Sequence, residues 1–174
     1  AGTSTNTELG TMTVTGQAAT KTDTPFLETP QATSTVSAEQ IERRGAQTVQ
    51  RALDYTPGGY TNQLGSSNRY DYLVLRGFSD GSLSNTFLDG LKLMGDTNSF
   101  SSLKVDPWML ESIEVVKGPA SVLYGRAYPG GLVALTSKRP EFSDSPTGEV
   151  QVGFGNNEQQ RAAFDVTGSV DEGQ

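Results

Sequence analysis

Residues 106–140, DPWMLESIEVVKGPASVLYGRAYPGGLVALTSKRP, hold the densest set of turn, helix and strand signals in the chain. Asp106 can cap a helix that begins with Pro107, whose missing N–H needs no partner at the first helical position. Glycine and proline separate the apolar runs that follow, which is typical of short elements joined by tight turns. The predicted elements are a helix Trp108–Ser112, a strand Ile113–Val116, a helical turn Ala120–Tyr124 ended by Gly125, and a strand Leu132–Ser137.

Patterns elsewhere extend this unit to an α+β fold, a small mixed sheet with covering helices. Ser37 to Gln40 has the form of a capping box, which opens a helix. Asp89-Gly90 lies between two β-prone runs and predicts a hairpin with a type I′ turn. The further predicted strands are Gln31–Val36, Tyr70–Gly77 (with Leu73–Arg76 in the sheet), Thr86–Leu88 and Leu91–Met94, and the further helices are Ser37–Arg43 and Gln47–Tyr55.

The last part of the chain, residues 142–174, has a different pattern. Apolar and polar residues alternate along Glu149–Phe154 and again after a turn at Gly155–Glu158, which predicts a hairpin with one apolar and one polar face. Such a hairpin could be an exposed part of a soluble domain. The same alternation is typical of transmembrane barrel strands, and two strands cannot close a barrel, for which about 8 are needed. We therefore expect these residues to be a fragment of a larger receptor.

Composition excludes several classes of function. The net charge is −7 and the pI near 4.5, so there is no basic stripe for nucleic acid. The chain contains neither Cys nor His, which removes disulfides, thiolate sites and the commonest metal ligand. Its start at Ala1 has no charged-then-apolar leader, as expected of a mature or trimmed chain. No apolar run approaches the ~20 residues of a membrane-spanning helix.

Catalytic motifs are also missing. The chain has 20 acidic residues, yet no spacing singles out a pair that would converge in a pocket. Asp106, Glu111 and Glu114 are expected at a cap and on exposed faces. No nucleophile elbow, P-loop or dinucleotide fingerprint occurs. We predict that the chain is not an enzyme.

The stretch SIEVVKGPASVLYGRAYPGGLVALTSKRP resembles the closing segment of the plug domain of TonB-dependent outer-membrane receptors, most nearly those for ferric hydroxamate siderophores of the ferrichrome and ferrioxamine type. The likeness continues through KTDTPFLETPQ, ALDYTPGG, NRYDYLVLRGF and FLDGLKL, in order, from Thr11 to Pro140. It implies a plug inside a barrel in the bacterial outer membrane. The implied domains are a flexible arm at 1–24 facing the periplasm, the plug at 25–141 and the first barrel strands at 142–174.

An isolated β-prone run lies in the Thr-rich arm between Gly10 and Gly16. Judged from its residues alone, this run is either an isolated strand in a tail or a segment that adds a strand to the sheet edge of a partner. It resembles the family's TonB box, here at about 10–16, which implies binding to TonB and its inner-membrane complex. The residues of this run are Thr11, Met12, Thr13, Val14 and Thr15.

The resemblance further implies that loops at the outer end of the plug contact the ferric siderophore. No protein cofactor is implied, since the siderophore itself encloses the iron. Leu64 stands where the ferrichrome pattern has arginine, the loop around Gly81 is shorter and that around Asn98 longer, so a ferrioxamine fits as well as ferrichrome. The candidate contacts are Leu64, Gly81, Ser82, Leu83, Asn98 and Phe100.

Arg76 lies at the end of an apolar run. The sequence around it favours a surface arginine whose aliphatic part packs on the protein while its charge stays in water. The resemblance implies instead that Arg76 and Lys117 pair with carboxylates of the barrel wall and lock the plug in place. Two alternatives to the whole interpretation stay open: a soluble binding or interaction module with a plug-like fold, and a receptor of the same superfamily for a non-iron ligand such as a cobalamin or a glycan. The alternation after Phe142 favours a barrel continuation over a free module.

Overall fold

The fold is a mixed sheet with short helices, in a computed structural model that describes residues 31–61, 73–79, 85–93, 104–125, 129–140, 145–156 and 158–168. The prediction of a small mixed sheet with covering helices is confirmed. The elements in chain order are β1 Ala32–Ser37, α1 Ala38–Arg43, α2 Val49–Ala52, β2 Gly59–Tyr60, β3 Val74–Leu75, β4 Phe78–Ser79, β5 Thr86–Leu88, β6 Leu91–Lys92, a 3₁₀ helix Pro107–Met109, β7 Leu110–Lys117, α3 Ser121–Tyr124, β8 Gly131–Ser137, β9 Thr147–Phe154 and β10 Gln160–Thr167.

Five of these strands form the central sheet, in the order β1-β7-β8-β5-β6. Strand β7 pairs antiparallel with both β1 and β8, whereas β5 runs parallel to β8 and antiparallel to β6. Strands β2, β3 and β4 form a small separate sheet, so the prediction that Leu73–Arg76 lies in the central sheet is wrong. Strand β9 pairs with β10. The two long apolar strands β7 and β8 therefore lie at the centre, where both of their faces are covered.

The core lies on both faces of β7 and β8. On one face, Ile113, Val115, Val133 and Leu135 pack with residues of α1 and α2. On the other face, Val116 and Leu132 pack with Phe87 and Ala120, and Tyr124 of α3 covers them. Glu114 lies on this second face and is only 5% exposed, so the expectation that it sits on an exposed face is wrong. The strand carries it inward because its neighbours Ile113 and Val115 point to the opposite side.

Helix α1 begins at the expected cap Ser37, and α2 is shorter than predicted. The Oγ of Ser37 accepts from the amide of Gln40 at 3.4 Å, as the capping box requires. Helix α2 is capped by Thr48, whose Oγ1 accepts from Arg51 N at 3.2 Å. It spans Val49–Ala52 instead of the predicted 47–55, because Leu53 leaves the helical conformation with ψ of 4°.

Two further predicted element boundaries are wrong. The helix after Asp106 ends at Met109, because Leu110 is already extended and pairs with Ser137 across the sheet. The strand predicted through Gly77 ends at Leu75, because Arg76 and Gly77 form the turn of a hairpin. Gly125 ends α3 with a φ of 71°, as expected.

The amphipathic hairpin at the end of the chain is confirmed. In its register Val152 faces Ala162, and Val150 faces Phe164, so the apolar side chains of both strands share one side. Among the described residues, no helix is long and apolar enough to cross a membrane.

Candidate functional site

The predicted site residues that the structure describes are Arg76 and Lys117. Arg76 occupies the first position of the β3–β4 turn with a φ of 51°, followed by Gly77 with a φ of 81°. Positive φ at both central positions matches the twist of a tight hairpin. The amide of Arg76 donates to the carbonyl of Gly58 at 2.9 Å, which fixes the turn against the end of the α2 region. The backbone therefore holds the Arg76 side chain at an exposed corner.

Two glycines before and at the start of β8 allow the Arg76 turn to sit close to the central sheet. A Cβ on Gly130 would collide with the carbonyl of Leu75, the residue just before the turn. A Cβ on Gly131, whose φ is 136°, would collide with the carbonyl of Val116. The carbonyl of Gly130 also accepts from Gly118 N at 3.1 Å. The Pro-Gly-Gly turn is thus needed for close approach of backbones, which only glycine permits.

Lys117 lies at the end of β7, next to this turn. Its Nζ donates to the Oγ of Ser34 on β1 at 2.7 Å. The Nη1 of Arg76 would be 3.6 Å from a Cβ on the adjacent Gly118, so the guanidinium lies over the end of the same strand. Partial burial, and then the charge of Arg76, lower the pKa of Lys117. The site is a pair of neighbouring cations.

Within the described residues, neither cation has a carboxylate at ion-pair distance; the ion pairs found there involve other residues. Two like charges held together on a rigid backbone repel each other and attract an anionic partner. The arrangement can therefore bind a carboxylate supplied from outside this part of the chain. The wall partners expected for Arg76 and Lys117 stay a prediction.

The remaining predicted site residues lie outside the described residues, and so do their contacts. No group of three or more His, Cys, Asp or Glu that could hold a metal ion occurs in the described ranges. The expectation that no cofactor is needed stays a prediction. The residues concerned are those of the predicted TonB box, Thr11 to Thr15, and the predicted ligand contacts Leu64, Gly81, Ser82, Leu83, Asn98 and Phe100.

Comparison with known proteins places this geometry in a family. The model of the family described as TonB-dependent Receptor Plug Domain matches residues 25–132. The chain belongs to this plug family. The chain is 64% identical over 154 residues to the ferrioxamine B receptor of Salmonella typhimurium, covering 88% of the chain and 22% of that relative. It is 49% identical over 158 residues to the ferrioxamine receptor of Yersinia enterocolitica, covering 91% and 22%.

More distant relatives share the fold of the plug. The ferrichrome outer membrane transporter and phage receptor of Escherichia coli K12 is 44% identical over 154 residues, covering 88% of the chain and 20% of the relative. The open form of the ferric-catecholate import receptor Fiu from E. coli K12 superposes with a TM-score of 0.70 at 25% identity, covering 87% and 21%. The pyoverdine receptor FpvA of Pseudomonas aeruginosa PAO1 gives 0.73 at 24% identity, covering 90% and 22%.

The chain therefore spans about a fifth of the length of these relatives. The relatives named here are receptors and transporters, and the prediction that the plug is not an enzyme is confirmed.

Sequence reasoning missed one set of contacts, which join the plug to the hairpin β9–β10. Asp106 was predicted as a helix cap, and its Oδ1 does accept from Trp108 N at 3.0 Å. The same carboxylate also accepts twice from Nη2 of Arg161 on β10, at 2.7 and 2.8 Å. Lys138, which follows β8, lies 3.5 Å from Glu149 and 3.6 Å from Asp165. The available signal was the row of charged residues on the polar face of the predicted hairpin.

Proposed function

We propose that this chain is the plug of an outer-membrane receptor that imports a ferric hydroxamate siderophore of the ferrioxamine type. The observation that carries the proposal is the 64% identity to the Salmonella ferrioxamine B receptor over 88% of the chain. Identity falls to 44% for the ferrichrome transporter and to 26% for the vitamin B12 transporter of Vibrio vulnificus. This order supports a ferrioxamine over ferrichrome, and both over a cobalamin.

In this proposal the ligand binds at the outer end of the plug, through the loops that carry Leu64, Gly81 to Leu83, Asn98 and Phe100. The iron arrives enclosed by siderophore oxygens, so the protein recognises the shape and polarity of the organic shell and supplies no metal ligand. Binding then biases the N-terminal arm toward exposure on the periplasmic side, a switch in the order of a segment.

The arm engages TonB by strand addition in the same proposal. Thr11 to Thr15 alternate as a strand does, and an unpaired strand can join a sheet edge of its partner through backbone hydrogen bonds. TonB then pulls on the arm and remodels the plug, which opens a path through the barrel. The position of β1 at the edge of the described sheet supports this, since β1 is the first described strand after the arm.

The cations Arg76 and Lys117 hold the plug in its resting position by pairing with wall carboxylates. Support comes from their adjacency and from the lack of a carboxylate partner within the described residues. The hairpin β9–β10 is, in this proposal, the first pair of wall strands, with its apolar side toward lipid.

The TonB step is tested by titrating the 174-residue chain with a TonB C-terminal domain. Val14→Pro should abolish binding, because proline removes a donor of the strand ladder. The matched control is Thr5→Pro, which places proline in the same arm but outside the box and should bind like the parent chain. Equal binding by the Val14→Pro chain would reject strand addition at this segment.

The ligand is tested in cells that produce the receptor carrying this plug, by uptake of radioactive iron. Uptake from ferrioxamine B should exceed uptake from ferrichrome, and Val14→Pro in the receptor should reduce both to the level of cells without it. Uptake from ferrichrome alone would leave a hydroxamate receptor but reject the ferrioxamine assignment. Uptake from neither would reject the hydroxamate class.

A further inference from the structure

The polar side of β9–β10 is attached to the plug at two separate points. At the first, Arg161 of β10 donates two hydrogen bonds to the carboxylate of Asp106, at 2.7 and 2.8 Å. At the second, Nζ of Lys138 lies between the carboxylates of Glu149 on β9 and Asp165 on β10, and 4.3 Å from the centre of the Trp108 ring. A single contact would let the hairpin rotate relative to the plug, whereas two separate contacts prevent this rotation. The attachment therefore sets the orientation of the hairpin.

Hydrophobic burial alone would favour the opposite orientation. The other side of the hairpin is an apolar row, and its side chains are strongly exposed, for example Phe154 and Phe164 at 81% each. Between the plug and the hairpin lies a cavity of about 180 Å³, and its plug side combines the apolar residues Ile41, Pro107 and Trp108 with Glu42 and Gln47. Turning the apolar row onto this surface would remove it from water, at about 25 cal/mol per Å².

The charges on the two sides are matched in sign. The plug presents the anion Asp106 and the cation Lys138, and the polar side of the hairpin presents Arg161 opposite the first and two carboxylates opposite the second. The amide of Lys138 donates to the carbonyl of Met109 at 2.9 Å, so the backbone fixes the second point relative to the 3₁₀ helix that begins after Asp106. Charge-assisted hydrogen bonds such as that between Arg161 and Asp106 are shorter and stronger than neutral ones.

We propose that Asp106 and Lys138 form an orienting clamp: they select the polar side of β9–β10 for contact with the plug and so keep the apolar row directed away from it. The clamp is a plug-to-hairpin contact separate from Arg76 and Lys117. It acts within the chain, so it depends neither on the ligand nor on TonB. Glu42 of α1 also faces Glu149 and opposes the clamp by repulsion, which Lys138 offsets.

The test uses two neighbouring alanines on β10 as reporters. The chain has no cysteine, so Ala162→Cys and Ala163→Cys each introduce a single thiol. Residue 162 lies on the exposed apolar side and residue 163 on the partly buried side that faces the plug. In the monomeric fraction of the 174-residue chain, a soluble alkylating reagent should therefore react faster with the thiol at 162.

Arg161→Gln together with Lys138→Gln should remove this difference. The rate at position 163 should rise, by up to about fivefold for each lost pair, which is the upper range for partly exposed ion pairs. The rate at position 162 should fall as the apolar row turns inward. Unchanged rates at both positions would overturn the proposal, because hydrophobic packing or the chain connection would then be enough to set the orientation.

Two controls separate the clamp from general effects of charge and folding. Lys104→Gln removes an exposed cation outside the clamp and should leave both rates unchanged. The exchange Asp106→Arg with Arg161→Asp should restore the parent rates, whereas Arg161→Asp alone places two carboxylates together and should raise the rate at 163 most. Failure of the exchange to restore the rates, in a chain with the parent's circular dichroism spectrum, would contradict pairing of these two residues.

Discussion

Asp89 and Ser137 are joined by two hydrogen bonds: the amide of Ser137 donates to Oδ1 at 3.0 Å and its hydroxyl donates to Oδ2 at 2.8 Å. Asp89 is also the first residue of the β5–β6 turn, with a φ of 49°. One side chain therefore ties the turn of the edge hairpin to the last residue of β8. Since Lys138 follows Ser137 directly, these two hydrogen bonds help to fix the position of Lys138, one of the two clamp residues.

Substitution of Asp89 should separate its turn role from its charge. Asn tolerates positive φ and still accepts one hydrogen bond, so Asp89→Asn should cost less than about 1 kcal/mol. Asp89→Ala adds backbone strain to the lost bonds and should cost about 1–3 kcal/mol. Urea denaturation of both variants measures the difference, and equal losses would mean that the turn tolerates any residue.

The carboxylate of Asp89 should also make stability depend on pH. The hydrogen bond from the Ser137 amide, above all, lowers the pKa of Asp89 below its usual value. A depressed carboxyl pKa contributes stability above the unfolded value of about 3.9, and this contribution is lost as the pH falls through the folded pKa. Between pH 5 and 2, thermal denaturation should therefore show a steeper loss for the parent than for Asp89→Asn.

Alanine at Gly131 should prevent normal folding. The added Cβ collides with the Val116 carbonyl, and the φ of 136° is strained for alanine, so the loss should exceed about 3 kcal/mol. Gly45 has a φ of 59° and open space around it, so Gly45→Ala should cost only about 1–2 kcal/mol. Circular dichroism and thermal denaturation compare the two. A small loss at both positions would show that β7 and β8 can move apart.

Neutralising Lys117 should not destabilise the chain studied alone. Partial burial and the neighbouring Arg76 disfavour its charge, so Lys117→Met should change stability by less than about 1 kcal/mol, in the stabilising direction. A lowered lysine pKa is a destabilising contribution that is complete below the folded pKa. It disappears as the pH rises toward the unfolded value of about 10.4.

The gain from Lys117→Met should therefore shrink between pH 8 and pH 10.5 in thermal denaturation. Lys104→Met, at an exposed position, is the control and should show no such trend. A clear loss of stability in Lys117→Met at pH 7 would show that the hydrogen bond from Nζ to Ser34 outweighs the penalty on the partly buried charge.

Glu42 should produce a pH effect of the opposite sign to Asp89. Partial burial first, and then the charge of Glu149, raise the pKa of Glu42. A raised carboxyl pKa adds no penalty below the unfolded value of about 4.3, and the penalty is complete above the folded pKa. Glu42→Gln should therefore raise the melting temperature at pH 7 relative to pH 4. Glu39→Gln on the same helix is the control, and a matching rise there would point to net charge instead of the Glu149 contact.

Local signals in the sequence predicted most turns and strands of the plug correctly. Asp89-Gly90, Ser37 and the alternation along β9 and β10 determine structure through their nearest neighbours, so the sequence alone is informative. The predictions fail where contacts between residues far apart in the sequence determine the local structure. Leu110 is extended because Ser137 pairs with it, and Arg76 turns because the hairpin meets Gly130 and Gly58.

The candidate site was only partly predictable for the same reason. Family resemblance pointed to Arg76 and Lys117, but their adjacency depends on how the turn packs on the end of β7. The pairing of Asp106 with Arg161 joins residues 55 positions apart and has no local pattern. Period-2 alternation showed that the hairpin has a polar side, but did not indicate which partner that side would contact.

The edge position of β1 has a mechanical consequence. Tension on the chain before Gln31 acts at the end of β1 where Ala32 faces Lys117, and Gln31 Nε2 donates there to the Pro119 carbonyl at 3.0 Å. Strand β7 is held along its length by β8, from Leu110 to Lys117. Tension directed along β1 therefore loads the two strands in shear. All hydrogen bonds of their ladder from Ala32 to Ser37 then resist together, instead of breaking one after another.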